Sequence, residues 1–342
     1  METTKQRYDF MDVLRIIAIL CVIYNHTGSD AYYLYALPCG MILKCFYIIV
    51  GALIAVAVPI FFMISGALLL PKEERLYVLF KKRILRMIVV LIIASAGMYA
   101  YKGFPGNFKG LLFTDGVLTS YWYLYAYIAY LLILPILRKM VKVLDWMDYL
   151  YLLLLSIFVE GVLPAIFMLI GISRVHIMFV LPLINRVVIF PLLGYAMVHV
   201  GKEKLNGKTI YGLALISLLI TIVMTLYRNL PLEKFTQYDK GLFTSSFTTF
   251  LSIAVFYAVM QFCERHKMKA GVKKIIRELA SATFGVYLIE EISRDLTYGI
   301  VGKLSSVTGQ WIAAVCWVIV AWFLASVLVI ILKKIPGIHK LL

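Results

Sequence analysis

Arg15 and His26 lie in one apolar segment, YDFMDVLRIIAILCVIYNHT, which covers residues 8–27. Ionisable side chains inside a bilayer are costly unless they are paired, hydrated or used in function. His26 follows Arg15 by eleven positions. In an α-helix this spacing corresponds to a rise of about 16 Å and to nearly a whole number of turns, so both side chains lie on the same face. Asp12 lies one turn before Arg15 and is placed to neutralise it on that face. The spacing predicts a polar stripe lining a cavity, with the cation near a membrane surface and the imidazole deeper.

Proton transfer is the chemistry that suits His26. An imidazole titrates near neutral pH, so it can take a proton from a hydroxyl group and return it, as acyl transfer requires. The alternative is a structural histidine that hydrogen-bonds a neighbouring helix. The presence of Arg15 on the same face favours a functional role for His26.

A second group of cations follows in the segment FKKRILRM, residues 80–87. Arg83 and Arg86 are spaced i, i+3 and therefore share a helix face. Together with Arg15 they are candidates for clamping the phosphates of a cytosolic cofactor, because guanidinium groups match phosphate geometry. The alternative is ordinary anchoring at the cytoplasmic surface, which is favoured for the two preceding lysines.

Aromatic residues open another apolar block, SYWYLYAYIAYLLILP, at residues 120–135. Trp122 and Tyr123 are predicted near the outer surface, where an aromatic belt is the favoured interpretation. Such a rim also suits the stacking of a sugar ring, so both residues are candidates for the wall of the cavity. Interfacial belts are likewise expected to account for most of the 23 tyrosines.

Further ionisable residues fall in later apolar segments. Arg186 is predicted to be the most deeply placed, with Glu160, Glu290 or Asp12 as candidate partners. Glu290 and Glu291 follow an aromatic, glycine-containing stretch, and one of them is expected to line the cavity and orient the imidazole of His26. The spacing alone leaves the choice between the two glutamates open.

The composition indicates a membrane protein of the all-α class. Of the 342 residues, 63% are hydrophobic and 15% charged, and the mean hydropathy is +0.92, which is far more apolar than a soluble domain. Residues 1–342 are predicted to form a single transmembrane domain without a cleaved signal peptide. The five cysteines show no metal-ligand spacing and are expected to be free thiols, and no metal is predicted.

About ten transmembrane helices are expected. The predicted spans are approximately 10–28, 45–70, 84–101, 119–139, 148–171, 177–199, 209–227, 243–263, 279–297 and 310–332. Most of the 34 Lys and Arg residues fall between these spans on one side, which places both termini in the cytoplasm. This asymmetry explains most of the net charge of +16, so nucleic acid is not an expected partner.

The ordered motifs resemble those of the acyltransferase family 3 integral membrane proteins, which include many bacterial surface-glycan O-acetyltransferases. The matching pieces are D-x-x-R-x10-H at Asp12, Arg15 and His26, then VPIFFMISG, FKKRILR, SYWYLYAYIAYLLILP, VIFPLLGYAM and TFGVYLI. They run from residue 8 to about residue 289. The ordered set is more specific than any single motif.

The resemblance implies a ten-helix bundle in the bacterial cytoplasmic membrane that takes an acyl group, usually acetyl from acetyl-CoA, from the cytosolic side. The acceptor would be a hydroxyl group of an extracytoplasmic or lipid-linked glycan. His26 would be the catalytic histidine, and Arg15, Arg83 and Arg86 would serve the donor. The chain departs from the family where YLIE, ending in Glu290, replaces the usual YLIH.

The preferred hypothesis is therefore a membrane O-acyltransferase. A secondary transporter of a small polar or anionic solute, with the buried Arg, His and Glu residues as its relay, is the main alternative. No matched halves with interrupted helices support that alternative. A non-catalytic scaffold or sensor is a third hypothesis, and the acyl chain length, the acceptor and a homodimeric state stay open.

Overall fold

The computed structural model describes residues 8–114, 116–171, 185–229, 242–243 and 247–341. These residues form helices and connecting turns, and no β-strand occurs among them. The long helices, in chain order, are α1 (Asp9–Asn25), α2 (Met41–Leu69), α3 (Leu76–Tyr101), α4 (Thr119–Met140), α5 (Trp146–Leu169), α6 (Arg186–Val200), α7 (Gly207–Arg228), α8 (Phe247–Arg265), α9 (Ala270–Thr297) and α10 (Gln310–Leu332). The all-helical fold predicted from the sequence is confirmed.

Seven of these helices, namely α2, α3, α4, α5, α7, α8 and α10, are long and apolar enough to cross a membrane. Helix α1 has 17 residues, α6 is a shorter apolar helix, and α9 carries four charged residues in its second half. Each predicted span overlaps one of the long helices, although residues 177–184 and 244–246 of those spans lie outside the described residues. The exact number of helices that cross the membrane remains a prediction. The side of the membrane on which each terminus lies also remains a prediction.

Helix α1 lies at the centre of the bundle. It packs against α2, α8, α9 and α10, and its residues Leu14, Ala18, Ile19 and Ile23 are completely or almost completely buried. Nearly every face of a central helix is covered by protein, so its ionisable residues must find partners or a cavity there. The central position of α1 therefore brings the polar stripe of the N-terminal segment into contact with the later helices.

Two glycines allow α2 and α6 to cross at close range. A Cβ atom on Gly66 would overlap the carbonyl group of Pro191, and a Cβ atom on Gly194 would overlap the carbonyl group of Met63. Small residues at helix contacts let backbones approach closely in membrane bundles. Gly66 is therefore a packing residue, and its contact with Pro191 fixes the end of α2 beside α6.

Substituting Gly194 with valine should therefore destabilise the bundle by about 1–3 kcal/mol or more, because the backbones of α2 and α6 cannot stay in place around the larger side chain. The midpoint of thermal unfolding in detergent measures this effect. Gly97→Ala is the matched control, since a Cβ atom at Gly97 in α3 meets no atom within 4 Å. An unfolding midpoint for Gly194→Val equal to that of the control would contradict the close crossing.

The expectation for Arg186 is wrong. Arg186 is exposed at the very start of α6, so it is not the deeply buried cation that the apolar context predicted. Tyr121, Tyr130 and Tyr149 are among the largest fully buried side chains of the described residues, so the tyrosines are not only an interfacial belt. The five cysteines are free thiols, as expected.

Candidate active site

A cavity of about 810 Å³ opens between α1, α2, α3, α4 and α9. This volume is within the range of about 300–1,000 Å³ that is typical of small-molecule sites. Of the candidate residues, Asp12, Arg15, His26, Arg83, Arg86, Trp122 and Tyr123 line its wall, together with Ser65, Tyr127 and Tyr287. Helical periodicity correctly predicted the polar stripe of α1 that faces this space.

The cavity has a cationic end and a histidine end. The start of α1, the end of α2 and the start of α3 meet at the cationic end, where Arg15, Lys72, Arg83 and Arg86 line the wall. The end of α1 and the start of α4 meet at the other end, where His26 is. About 16 Å of helix separates Arg15 from His26, because each residue of α1 advances about 1.5 Å.

His26 lies at the end of α1 rather than within it. The helix ends at Asn25, and His26 is its C-cap residue, so the sequence-based placement inside a continuous helix is corrected by one position. The His26 side chain is 20% exposed and lines the cavity. Its Nδ1 atom is 2.8 Å from Oε1 of Glu290, whose side chain is only 2% exposed.

Arg294 completes this cluster. Its Nε atom donates to Oε2 of Glu290 over 2.6 Å, and its Nη1 atom donates to the backbone carbonyl of His26 over 2.8 Å. One guanidinium group therefore holds both the carboxylate and the backbone of the histidine. Arg294 was not predicted as a site residue, although its i, i+4 spacing from Glu290 on α9 is a usable signal.

The open choice between Glu290 and Glu291 is decided by the rotation of α9. Glu290 points to His26, whereas Glu291 points away and pairs with Lys102 over 2.6 Å. Glu290 itself does not line the cavity but supports the residue that does.

The contact with Glu290 determines which nitrogen of His26 is available. A carboxylate accepts hydrogen bonds, so Nδ1 carries the N–H hydrogen and donates a hydrogen bond to Glu290. Nε2 is then the nitrogen with a free lone pair, and it makes no hydrogen bond to any other described residue. A histidine oriented in this way is arranged to act as a base towards a hydroxyl group in the cavity.

At the cationic end, the predicted pair of Asp12 and Arg15 is present, with 2.7 Å between Oδ1 and Nη1. Asp12 is buried, while the Arg15 side chain keeps 30% of its surface exposed. A guanidinium group has five N–H donors, and the carboxylate of Asp12 accepts a hydrogen bond from one of them. Arg15 therefore retains donors for a second anion.

Arg83 and Arg86 have different partners. Arg83 donates to Glu74 over 2.9 Å, and Glu74 also accepts from Arg138 over 3.2 Å. Burial raises the pKa of the Glu74 carboxyl group, but the hydrogen bonds and charges of Arg83 and Arg138 outweigh it and hold that pKa below its usual range. Arg86 donates to the backbone carbonyl of Leu341 over 3.0 and 3.3 Å. Both arginines thus lie on the wall, held by neighbouring groups.

Departures from regular α-helix position two of the lining residues. Residues Phe80–Ile84 and Ala196–Val200 are π-helical turns, a feature that often occurs at functional sites. Arg83 is in the first turn and His199 is in the second, where its Nε2 atom is 2.9 Å from the carbonyl of Ala67. His199 was not predicted to line the cavity, because a π-helical turn cannot be recognised from the helical periodicity of a sequence.

An aromatic wall connects the two ends. The rings of Tyr123 and Tyr127 are stacked with centroids 5.9 Å apart, and Tyr287 packs edge-on against Tyr123 at 5.7 Å. The hydroxyl of Tyr287 donates to the carbonyl of Ser120 over 2.5 Å, which ties the start of α4 to α9 near Glu290. Trp122 lies at the rim and is half exposed.

Neither Glu160 nor Arg186 lines this cavity. The other two candidate partners of Arg186 are engaged elsewhere, Asp12 with Arg15 and Glu290 with His26. Within the described part of the chain, no group of three or more His, Cys, Asp or Glu side chains could hold a metal ion.

The apolar helices make the chain a multi-pass membrane protein, with a polar cavity inside the bundle. Residues 8–332 match a family model described as an acyltransferase domain. Because the match covers nearly the whole chain, the protein belongs to acyltransferase family 3 and is a membrane acyltransferase. Searches among curated proteins and among solved structures gave no match.

Proposed function

We propose that the protein is an O-acyltransferase of the bacterial cytoplasmic membrane. It would move an acetyl or related acyl group from cytosolic acyl-CoA to a hydroxyl group of an extracytoplasmic or lipid-linked glycan. The observation that carries the proposal is the contact of His26 Nδ1 with the buried Glu290 carboxylate, which leaves Nε2 for the cavity. This is the arrangement that general-base activation of a hydroxyl group requires.

His26 is the base in the proposed transfer step. Nε2 of His26 takes the proton of the acceptor hydroxyl while the hydroxyl oxygen forms a bond to the thioester carbonyl carbon. The carbon–sulfur bond breaks, and His26 returns the proton to the departing sulfur. Glu290 stabilises the imidazolium that exists between these two proton transfers, and Arg294 keeps Glu290 in place.

The cationic end fits the phosphates of an acyl-CoA donor. Arg15 has unused donors, and Arg83, Arg86 and Lys72 add positive charge to the same end of the cavity. The separation of about 16 Å between Arg15 and His26 suits a donor whose phosphates are far from its thioester. We therefore assign the cationic end to the phosphates and the histidine end to the acyl group.

The acceptor would approach at the histidine end. Trp122 is half exposed at the rim and Tyr123 continues the aromatic surface into the cavity. Flat aromatic faces of this kind suit the stacking of a sugar ring, which supports a glycan as the acceptor.

Membrane vesicles of opposite orientation test the proposal. Radiolabelled acetyl-CoA should label the glycan or lipid-linked fraction when it reaches the cytosolic face of inside-out vesicles, and not when it is added to sealed right-side-out vesicles. Uptake of a polar solute into liposomes without any acyl-CoA would instead support the transporter hypothesis. Absence of label in both orientations, with the protein present and folded, would contradict the proposed donor.

Arg15→Ala should raise the KM for acetyl-CoA about tenfold or more, because the variant loses charge-assisted hydrogen bonds to a phosphate. Initial rates at varied acetyl-CoA concentration measure this effect, and kcat should change less than KM. Arg75→Ala is the control, since Arg75 is an exposed residue of the same side that does not line the cavity. An unchanged KM in Arg15→Ala would remove Arg15 from the donor site.

A further inference from the structure

The middle of the cavity contains a pair of hydroxyl groups from two different helices. Ser65 of α2 and Tyr127 of α4 both line the wall of the cavity. The ring of Tyr127 is fixed between Tyr123, Phe62 and Tyr130, with centroids 5.9, 6.5 and 5.9 Å away. The packing of the ring holds its hydroxyl in one place on the wall.

This hydroxyl pair lies between the two ends. Tyr127 lies on α4 between Ser120, which Tyr287 contacts near the histidine end, and Arg138, which shares Glu74 with Arg83 at the cationic end. Its stacking partner Tyr123 is one helical turn nearer to the histidine end. A hydroxyl group carries one donor and two acceptor lone pairs, and both residues line the cavity. The two hydroxyls can therefore offer both a donor and an acceptor to a molecule in the cavity.

The surroundings of the pair are mostly apolar. Val58, Phe61, Ile64 and Leu68 of α2 line the same stretch of wall, and the hydroxyl of Thr283 is already bonded to the carbonyl of Ala280. An amide group of a ligand buried in such a stretch would lose its hydrogen bonds to water, at a cost of about 1–3 kcal/mol unless it finds a partner. Ser65 and Tyr127 are placed to be that partner.

We infer that the Ser65–Tyr127 hydroxyl pair binds an amide of the extended arm that joins the phosphates of an acyl-CoA to its thioester. The inference rests on the proposed donor, whose arm must cross the cavity from the arginines to His26. The pair acts as a positioning site, because it holds the arm in register so that the thioester carbonyl reaches Nε2 of His26. It also selects donors whose arm carries amides over simple alkyl thioesters.

Binding measurements with two ligands separate the arm from the phosphates. CoA carries both, whereas 3′-phosphoadenosine 5′-diphosphate carries the phosphates without the arm. Tyr127→Phe should raise the Kd for CoA about three- to tenfold and leave the Kd for the arm-less ligand unchanged, as expected for the loss of one hydrogen bond. Ser65→Ala should shift the Kd for CoA in the same direction. Titration calorimetry on purified protein in detergent provides both values without any acceptor.

The chain offers a matched control in Tyr130→Phe. Tyr130 is on the same helix and is fully buried, its hydroxyl has no partner in the structure, and it does not line the cavity. Loss of the Tyr130 hydroxyl group should change neither the Kd for CoA nor the Kd for 3′-phosphoadenosine 5′-diphosphate. Thermal unfolding midpoints of all variants identify any that fail to fold, and Ser65→Ala then provides the test in place of Tyr127→Phe.

The outcomes are distinguishable. If the wild-type protein binds both ligands and Tyr127→Phe weakens both equally or neither, the inference is overturned and the proposed donor stands. If the wild-type protein binds neither ligand, the acyl-CoA donor itself is overturned, and the inference falls with it. A selective loss of CoA affinity in Tyr127→Phe and Ser65→Ala, absent in Tyr130→Phe, supports the inference.

Discussion

Replacing His26 with alanine is expected to lower the rate of acyl transfer by about 10²–10⁴-fold, which is the usual contribution of a general base. The variant keeps the arginines of the cationic end and the aromatic wall, so the KM for acetyl-CoA should change little. It leaves Glu290 paired with Arg294 over 2.6 Å, so the buried carboxylate is not left without a partner. Initial rates in inside-out vesicles, normalised to the amount of folded protein, measure the effect.

His199→Ala is the matched control for this loss. His199 lines the same cavity, but at the cationic end, and its Nε2 atom is bonded to the carbonyl of Ala67. Its removal should leave kcat within about an order of magnitude of the wild-type value, since it does not activate the hydroxyl group. Equal losses in the two histidine variants would contradict the assignment of His26 as the base.

Glu290→Gln is expected to lower kcat by about 10²-fold or more, because a neutral amide cannot stabilise the imidazolium and can present an N–H to Nδ1. The second effect favours the tautomer with the proton on Nε2, which cannot accept one from a hydroxyl group. The substitution also leaves Arg294, whose side chain is only 13% exposed, without a carboxylate, so a lower unfolding midpoint is expected as well. Rates and unfolding midpoints should therefore be measured on the same preparation.

Glu291→Gln separates these effects from a general loss of charge on α9. Glu291 is the next residue along the chain, but it pairs with Lys102 and not with His26. A kcat close to the wild-type value is expected for this variant. If Glu291→Gln loses as much activity as Glu290→Gln, the orientation of His26 by Glu290 is contradicted.

Helical periodicity was sufficient to predict the first wall of the site. The spacing of Asp12, Arg15 and His26 places all three residues along one side of α1, and each lines the cavity. The apolar segments likewise predicted the helices, because a long apolar run has few other stable forms in a bilayer. These features depend on local geometry, which a sequence specifies directly.

Contacts between distant helices could not be predicted in this way. Glu290 and Glu291 are adjacent, and only the rotation of α9 against α1 decides that Glu290 meets His26. Arg294 joins α9 to the end of α1 through the carbonyl of His26, a partner that carries no side-chain signal. The burial of Arg186 was predicted wrongly because its neighbours in the sequence are apolar. Such a neighbourhood does not show that the residue lies at the exposed start of a helix.

The structure offers a physical explanation for the glutamate at position 290, where the family motif usually has a histidine. The family resemblance leads to the expectation of a histidine at this position, whereas the chain has a carboxylate 2.8 Å from Nδ1 of His26. A carboxylate accepts the Nδ1 proton and stabilises a charged imidazole more strongly than a neutral imidazole partner would. We interpret the substitution as one that keeps His26 in the tautomer needed for proton abstraction.

The most direct test is mass spectrometry of the envelope glycans from cells that lack the gene and carry either the wild-type protein or His26→Ala at equal membrane levels. Isotope-labelled acetate in the growth medium marks newly formed acetyl esters. Labelled O-acetyl groups are expected on a glycan in the wild-type strain, and these groups should be lost in the His26→Ala strain. Equal acetylation in the two strains, or no acetyl ester that depends on the wild-type protein, would contradict an O-acyltransferase with His26 as its base.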